Sequence, residues 1–122
     1  MLTEDTARRV IDTYFRAWET QDPALIVTIF TENATYAERA FEEPHRGRTG
    51  IAAYWKDKVV GDESDIRCRL LSLYLDGQTA IAEWEAEFAD LGVRKLMREV
   101  AILEFDGDKI ASLREYWQTK NL

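Results

Sequence analysis

A glutamate at the end of a strand-like run and a tyrosine on a helical face are the residues best placed to do chemistry. Glu38 shares strand parity with Tyr36 and Ala34, so an inward Tyr36 carries Glu38 inward with it. A carboxylate among aromatic rings loses hydration, its pKa rises, and it becomes suited to general-base work. Tyr14 lies on the buried face of the first helix and offers a phenol hydroxyl that a ligand can use. Each residue keeps a second reading. Glu38 can pair with Arg39, Arg46 or Arg48 at a cavity mouth, and Tyr14 can be a core tyrosine with an ordinary partner.

Four tryptophans, Trp18, Trp55, Trp84 and Trp117, fall on different elements. Converging, they wall a flat apolar cavity for a ring-containing ligand; otherwise they fill a core. His45 is the only histidine. It lies beside Pro44 in EEPHRG, an expected exposed loop, and without nearby cysteines or a second histidine no metal site is expected. The Gly-rich nucleotide loops and the Gly-x-Ser-x-Gly elbow are absent, so no cofactor is expected and serine-hydrolase chemistry is excluded.

The elements that must position these groups follow from periodicity. Thr3 caps a first helix on which Ala7, Val10, Ile11, Tyr14, Phe15 and Trp18 form one apolar face. Asp22-Pro23 opens a short second helix bearing Leu25, Ile26, Ile29 and Phe30. Residues 34–39 read as a short strand, followed by a polar loop. Thr49 is expected to cap a third helix that carries Ile51, Trp55 and Val59 and stops at Gly61. The period then changes to two over 66–75, 79–88, 93–105 and 109–118, with tight turns at Asp76-Gly77 and Asp106-Gly107-Asp108. Helices followed by a run of hairpins give an α+β fold, a curved, mostly antiparallel sheet wrapped around three N-terminal helices as a cone-shaped barrel. A single domain over residues 1–122 is expected.

Composition bounds the rest. The net charge of −7, with no cluster of lysine and arginine, excludes a nucleic-acid-binding face and disfavours anionic membranes. The lone Cys68 allows no internal disulfide. No apolar stretch approaches the roughly 20 residues of a membrane span, and the start lacks a secretory profile, so a cytoplasmic location is expected.

TYFRAWETQDPALIVTIFTENATYAE, PHRGRTGIAAYW and LEFDGDKIASLREYW, in this order, resemble the nuclear transport factor 2-like superfamily, and within it the ketosteroid isomerase and SnoaL-like branch. The likeness covers nearly the whole chain. It implies the cone-shaped fold and a homodimer formed through the sheet face. It does not select one activity, because the superfamily holds isomerases, cyclases, dehydratases, epoxide hydrolases and proteins that only bind.

By that resemblance Tyr14 matches the oxyanion-holding tyrosine and Glu38 the general base. Ala101 stands where a second oxyanion donor, a protonated aspartate, belongs. Ala101 is then a cavity residue, and Glu99 and Met97, of the same parity, face the same space. Glu115 shares parity with Ala111, Leu113 and Trp117, and the family's matching tryptophan lines the pocket. Glu38, Glu99 and Glu115 thus converge, and neighbouring glutamates raise at least one pKa. The competing reading pairs these acids with Arg94, Lys95, Arg98 or Arg114. The expected ligand is a small apolar molecule bearing a carbonyl or hydroxyl group, gripped by Trp18, Tyr36, Trp55, Trp84 and Trp117. The alternative is a homodimeric binding module with a filled pocket, its partner surface the outer sheet face.

Overall fold

Thr3 is extended, and its Oγ1 accepts a hydrogen bond from the Thr6 N–H at 3.2 Å; helix α1 (Glu4–Glu19) follows with Glu4 and Asp5 in its positive first turn. Its buried stripe runs from Ala7 to Trp18 on one side. Asp22 caps α2 (Pro23–Ile26) by accepting from the Leu25 N–H at 3.1 Å, and a 3₁₀ turn, Val27–Ile29, feeds β1 (Phe30–Ala37). These elements come from a computed structural model that describes all 122 residues.

The segment after β1 differs from the sequence expectation. His45–Arg46 forms a two-residue strand, β2, paired antiparallel with β1. Helix α3 (Gly47–Tyr54) begins two residues before Thr49, and no side chain caps it. Gly47 permits the early start, because its φ of +68° lets the chain turn from β2 into the helix. Arg48 then reaches back to the Phe30 carbonyl at 2.9 and 3.0 Å, tying α3 to the start of β1. Nor does Gly61 stop the helix in a left-handed turn. The chain widens into a π-helical stretch, Trp55–Val60, and Gly61 keeps helical angles (φ −74°, ψ −41°). That widening resets the helical phase while Trp55 and Val59 both stay buried.

Four long strands follow: β3 (Glu63–Asp76), β4 (Thr79–Asp90), β5 (Val93–Asp106) and β6 (Lys109–Asn121). The sheet order is β2-β1-β6-β5-β4-β3, with β1 parallel to β6 and every other pair antiparallel. The fold is therefore α+β, three N-terminal helices against a six-stranded, mostly antiparallel sheet. Alternation in β4 resolves as Ala80, Ala82, Trp84, Ala86 and Phe88 inward, with Ile81, Glu83, Glu85 and Glu87 on the other face. The inward alanines leave room for the helices and for Trp84, which is fully buried. A bulge near Ala111 turns Ile110 into the core, so Ala111 does not share the burial of Leu113 and Glu115. No helix is long and apolar enough to cross a membrane.

Gly47 is the position where backbone geometry is most restrictive. A Cβ there meets the Glu32 carbonyl oxygen at 3.3 Å, whereas a Cβ on Gly107, also left-handed at φ +64°, meets nothing within 4 Å. Gly47→Ala is expected to cost about 1–2 kcal/mol from the backbone alone and more than Gly107→Ala. Urea unfolding of the two variants measures the difference, and equal losses would show that the Glu32 contact is without consequence.

Candidate active site

Between the helices and the concave face of the sheet lies a cavity of about 270 Å³. Tyr14 and Trp18 enter it from successive turns of α1, and Tyr36 from β1. Tyr54, Trp55 and Lys58 come from the third helix and its π-helical extension. The sheet contributes Glu63, Phe88, Asp90, Lys95, Met97, Glu99, Glu115 and Trp117. Aromatic residues form the largest share of the walls, and acids outnumber bases among the charged groups.

Glu115 is the hub. Its Oε1 accepts hydrogen bonds from the Tyr14 hydroxyl at 2.5 Å and the Tyr36 hydroxyl at 2.7 Å, and the two hydroxyl oxygens lie 2.6 Å apart. Three oxygens in mutual contact need three protons to satisfy every edge, and the phenols supply two. A proton on Glu115 closes the ring; without it one edge is a contact between lone pairs. The two phenols are held well above their ordinary range, first by burial and then by the charge of Glu115.

Glu99, 2% exposed, stands beside Glu115. Burial raises its pKa far above the ordinary value, and repulsion from Glu115 and the hydrogen bond to it act in the same direction. Burial also lifts Glu115, from 4.5 to about 7, although the hydrogen bonds from Tyr14, Tyr36 and Glu99 oppose the rise. Glu99 therefore keeps its proton and donates to Glu115, which ionises first. The remaining Glu99 oxygen, Oε2, is buried without a hydrogen-bond partner.

No cation neutralises this pair. Arg98 binds Glu85, Arg114 binds Glu104, Arg94 lies 3.8 Å from Glu87, and Lys95 lies 3.4 Å from Asp90. Each base that the sequence offered as a partner is engaged with another acid. Arg98 and Arg114 neighbour the inward glutamates along their strands and so point to the opposite face, which Arg94, an odd number of residues from Glu99, shares.

The other expected site residues fall into distinct places. Glu38 lines the cavity at its mouth, just beyond β1, with its carboxylate 3.4 Å from the Arg39 guanidinium. Arg39 in turn lies over the Trp117 ring at 5.0 Å, and the Trp117 indole N–H donates to the Glu38 carbonyl at 2.7 Å. Arg46 and Arg48, the other candidate partners, bind Glu43 and the Phe30 carbonyl. Met97, Trp18, Trp55 and Trp117 line the cavity. Trp84 does not; it packs behind Tyr14, with ring centroids 5.1 Å apart, and edge-on to Phe15 at 5.3 Å. Ala101 is fully buried outside the cavity lining, directly across from Glu115 in the β5–β6 register. The carboxyl groups near that position thus come from Glu115 opposite and Glu99 two residues away. His45 is half-buried rather than exposed, its ring stacked on Tyr54 at 4.2 Å, because β2 pins it beside the third helix. No group of three or more His, Cys, Asp or Glu side chains is arranged to hold a metal ion.

Sequence reasoning missed Glu63. It begins β3 inside GDESD, where no periodicity marks an inward residue, yet it is 8% exposed and lines the cavity. The Trp18 indole N–H donates to it at 2.8 Å. Burial raises its pKa to about 7 against the opposing pulls of that bond and of Lys58. Lys58 and Tyr54 were also missed, although their four-residue spacing places them on one helical face.

A family model described as "SnoaL-like domain" matches residues 11–113. No curated protein shows significant similarity to the chain. Among solved structures, the epoxide hydrolase/cyclase-like enzyme SalBIII, of pyran ring formation in polyether salinomycin, is 23% identical; all of both chains superpose with a TM-score of 0.85. An M. tuberculosis LEH-like epoxide hydrolase is 17% identical over 93% of this chain and 84% of that one, TM-score 0.78. A Catenulispora acidiphila protein of ketosteroid isomerase-like fold, in complex with trimethylamine, is 19% identical over 88% of this chain and 83% of that one, TM-score 0.77. At these identities the likeness concerns the fold.

The raised carboxyls set a pH dependence of stability. Glu63 and Glu115 hold protons up to about pH 7 when folded, while in the unfolded chain they release them near the ordinary 4.5. Stability is thus expected to fall by a few kcal/mol as pH rises from about 5 to about 8, and to go on falling above that for as long as Glu99 keeps its proton. Glu115→Gln should flatten part of that slope. Urea midpoints across the range check this, and a wild-type protein equally stable at both ends would refute it.

Proposed function

The chain belongs to the SnoaL-like domain family, and on that premise we propose that it catalyses cofactor-independent proton transfer on a small apolar compound bearing a carbonyl or hydroxyl group. The observation that carries this reading is the adjacent pair Glu99 and Glu115, buried in an aromatic cavity with no cation beside either. Structural ion pairs stabilise buried acids by neutralising them. A like-charged pair left without counter-ions is instead the arrangement that separates two pKa values, giving one neutral acid and one base.

In this reading neutral Glu99 donates a proton to the ligand's oxygen. Ionised Glu115, oriented by Tyr14 and Tyr36, removes one from a carbon or hydroxyl of the same ligand. The Glu99–Glu115 hydrogen bond lets the proton return between turnovers. Isomerisation and cyclisation consist of such a relocation within one molecule, and in dehydration the donated proton leaves with the hydroxyl as water. Likeness to enzymes described as epoxide hydrolase/cyclase-like and ketosteroid isomerase-like agrees with this class of chemistry. Tyr14 keeps the oxyanion role implied by resemblance only if its hydroxyl leaves Glu115. Glu38 is the lesser candidate, since it stands at the mouth and is paired with Arg39.

A panel of unsaturated ketones, hydroxy-ketones and hydroxy-epoxides, followed by mass spectrometry and chiral chromatography, is the screen. For any compound turned over, Glu99→Gln and Glu115→Gln should each lower kcat/KM by about 10²–10⁴-fold, and Glu38→Gln by less than about tenfold. The rate should rise through about pH 7 as Glu115 ionises. Undiminished turnover in the Glu99→Gln, Glu115→Gln double variant would end this reading.

A second reading, that the outer sheet face joins two copies, is favoured by apolar groups exposed there. Val100 is 38% and Tyr116 48% exposed as cross-strand partners, and Tyr74, 64% exposed, pairs with Ile81 and through it with Ile102. Sedimentation should give a homodimer at micromolar concentration and a monomer for Val100→Arg. A wild-type monomer under those conditions excludes this interface.

A further inference from the structure

The cavity has two separate acidic ends. Along α1, Tyr14 contacts Glu115 while Trp18, one turn later, contacts Glu63, an offset of about 6 Å along the helix. Along β5, Lys95 lies beside Asp90 near the Glu63 end, and Glu99 stands four residues on, about 13 Å of strand. The dyad thus occupies one end, and Glu63 the other, beside Asp90 and the two lysines that bind Asp90.

The cations that line the cavity are all engaged. Lys58 lies 3.0 Å from both Asp90 oxygens and 3.5 Å from Asp62, Lys95 lies 3.4 Å from Asp90, and Arg39 binds Glu38 and Glu42. Three buried carboxyls, Glu63, Glu99 and Glu115, remain without one. The Trp55 indole nitrogen, at the lining, is fully buried without a partner, whereas the orphaned Glu99 Oε2 lies across the strands from the equally orphaned Trp84 indole nitrogen. An unpaired donor at the cavity wall calls for a ligand that carries an acceptor such as a carbonyl or hydroxyl oxygen. An anionic ligand would add charge to acids that already repel one another. The Trp18 indole N–H occupies one oxygen of Glu63, and a cation would meet the other oxygen of that carboxylate, with the Trp18 and Phe88 side chains as apolar neighbours.

We propose that Glu63 is the counter-ion for a protonated amine, so that the ligand is a small apolar amine with its ammonium group at Glu63 and its oxygen-bearing end at Glu99 and Glu115. This deepens the proton-transfer reading by naming a substrate class, and rests on it for the placement of the oxygen. The binding of the ammonium group does not require turnover.

The test uses benzylamine, protonated throughout the working range, and benzyl alcohol, its neutral counterpart of nearly equal shape. Calorimetry at about pH 8 should show the amine bound about tenfold or more tightly than the alcohol. Glu63→Gln should bring the two affinities to within about threefold, while Glu99→Gln keeps the preference. Wild-type protein gives an independent arm should Glu63→Gln not fold. Around Glu63 stand Trp18, Lys58, Asp62 and Asp90, with Lys95 beyond Asp90 and Tyr54 and Cys68 within its field. Asp90 beside Lys58 holds the lysine above its ordinary range and is itself held below its own, so Glu63 and Glu115, both raised to about 7, are the groups that change there. Affinity for the amine should therefore rise through about pH 7 with proton release, while that for the alcohol does not. Equal affinities, preference for the alcohol, no amine binding at millimolar concentration, or a flat pH profile would each overturn the assignment. Failure of proton transfer would appear instead as turnover indifferent to Glu99→Gln and Glu115→Gln, a separate result.

Discussion

The site depends on one constraint, the burial of the Glu115 carboxyl where helix and sheet meet. A carboxyl removed from water without a cation must be held by hydrogen-bond donors or remain protonated, and Glu115 has both means available. Tyr14 brings a phenol from α1 and Tyr36 another from β1, so one carboxyl on β6 links the helix layer to two strands of the sheet. That link fixes how α1 sits on the concave face. It also fixes the neighbouring acid. Glu99, on β5, lies diagonally across from Glu115 and must share its environment.

The distribution of charge follows from this arrangement. Guanidinium groups close to the dyad along the sequence lie on the opposite face, where Arg69 and Arg98 flank Glu85 and hold its carboxyl below the usual range. Within the cavity the two lysines converge on Asp90 instead of on the three buried glutamates. The interior is thereby left acidic and polarisable. Its proton population changes close to neutral pH, which is where a pair of carboxyls can exchange protons with a ligand at little cost.

Aromatic residues divide between support and lining in a way that spacing cannot resolve. Trp84 and Trp18 both lie on inward faces, yet one backs the Tyr14 ring and the other forms the cavity wall. Which of them meets the cavity depends on how far α1 stands off the sheet, and that distance follows from packing against β3 and β4 and from the Tyr14–Glu115 contact. The same argument covers His45. Its half-buried position reflects β2 pairing with β1 and the stack on Tyr54, neither of which leaves a periodic trace in EEPHRG.

Local chemistry in the sequence determined most of the fold. The caps at Thr3 and Asp22, the apolar stripe of α1, the alternation in β4 and the Asp-Gly turns act over a few residues, and the observed elements follow them within a few positions. Parity with Ala101 and Trp117, which the family resemblance assigned to the pocket, placed Glu99 and Glu115 on inward faces. Tertiary structure alone decided which charges are paired. Lys58 and Lys95 meet Asp90 and not the buried glutamates because the π-helical stretch and strands β3, β4 and β5 bring them there, and Glu63 is buried because Trp18 of α1 closes over the start of β3. Pairing and burial of ionisable groups are set by contacts between residues distant in the chain, here Glu115 with Tyr14, and no local period encodes them.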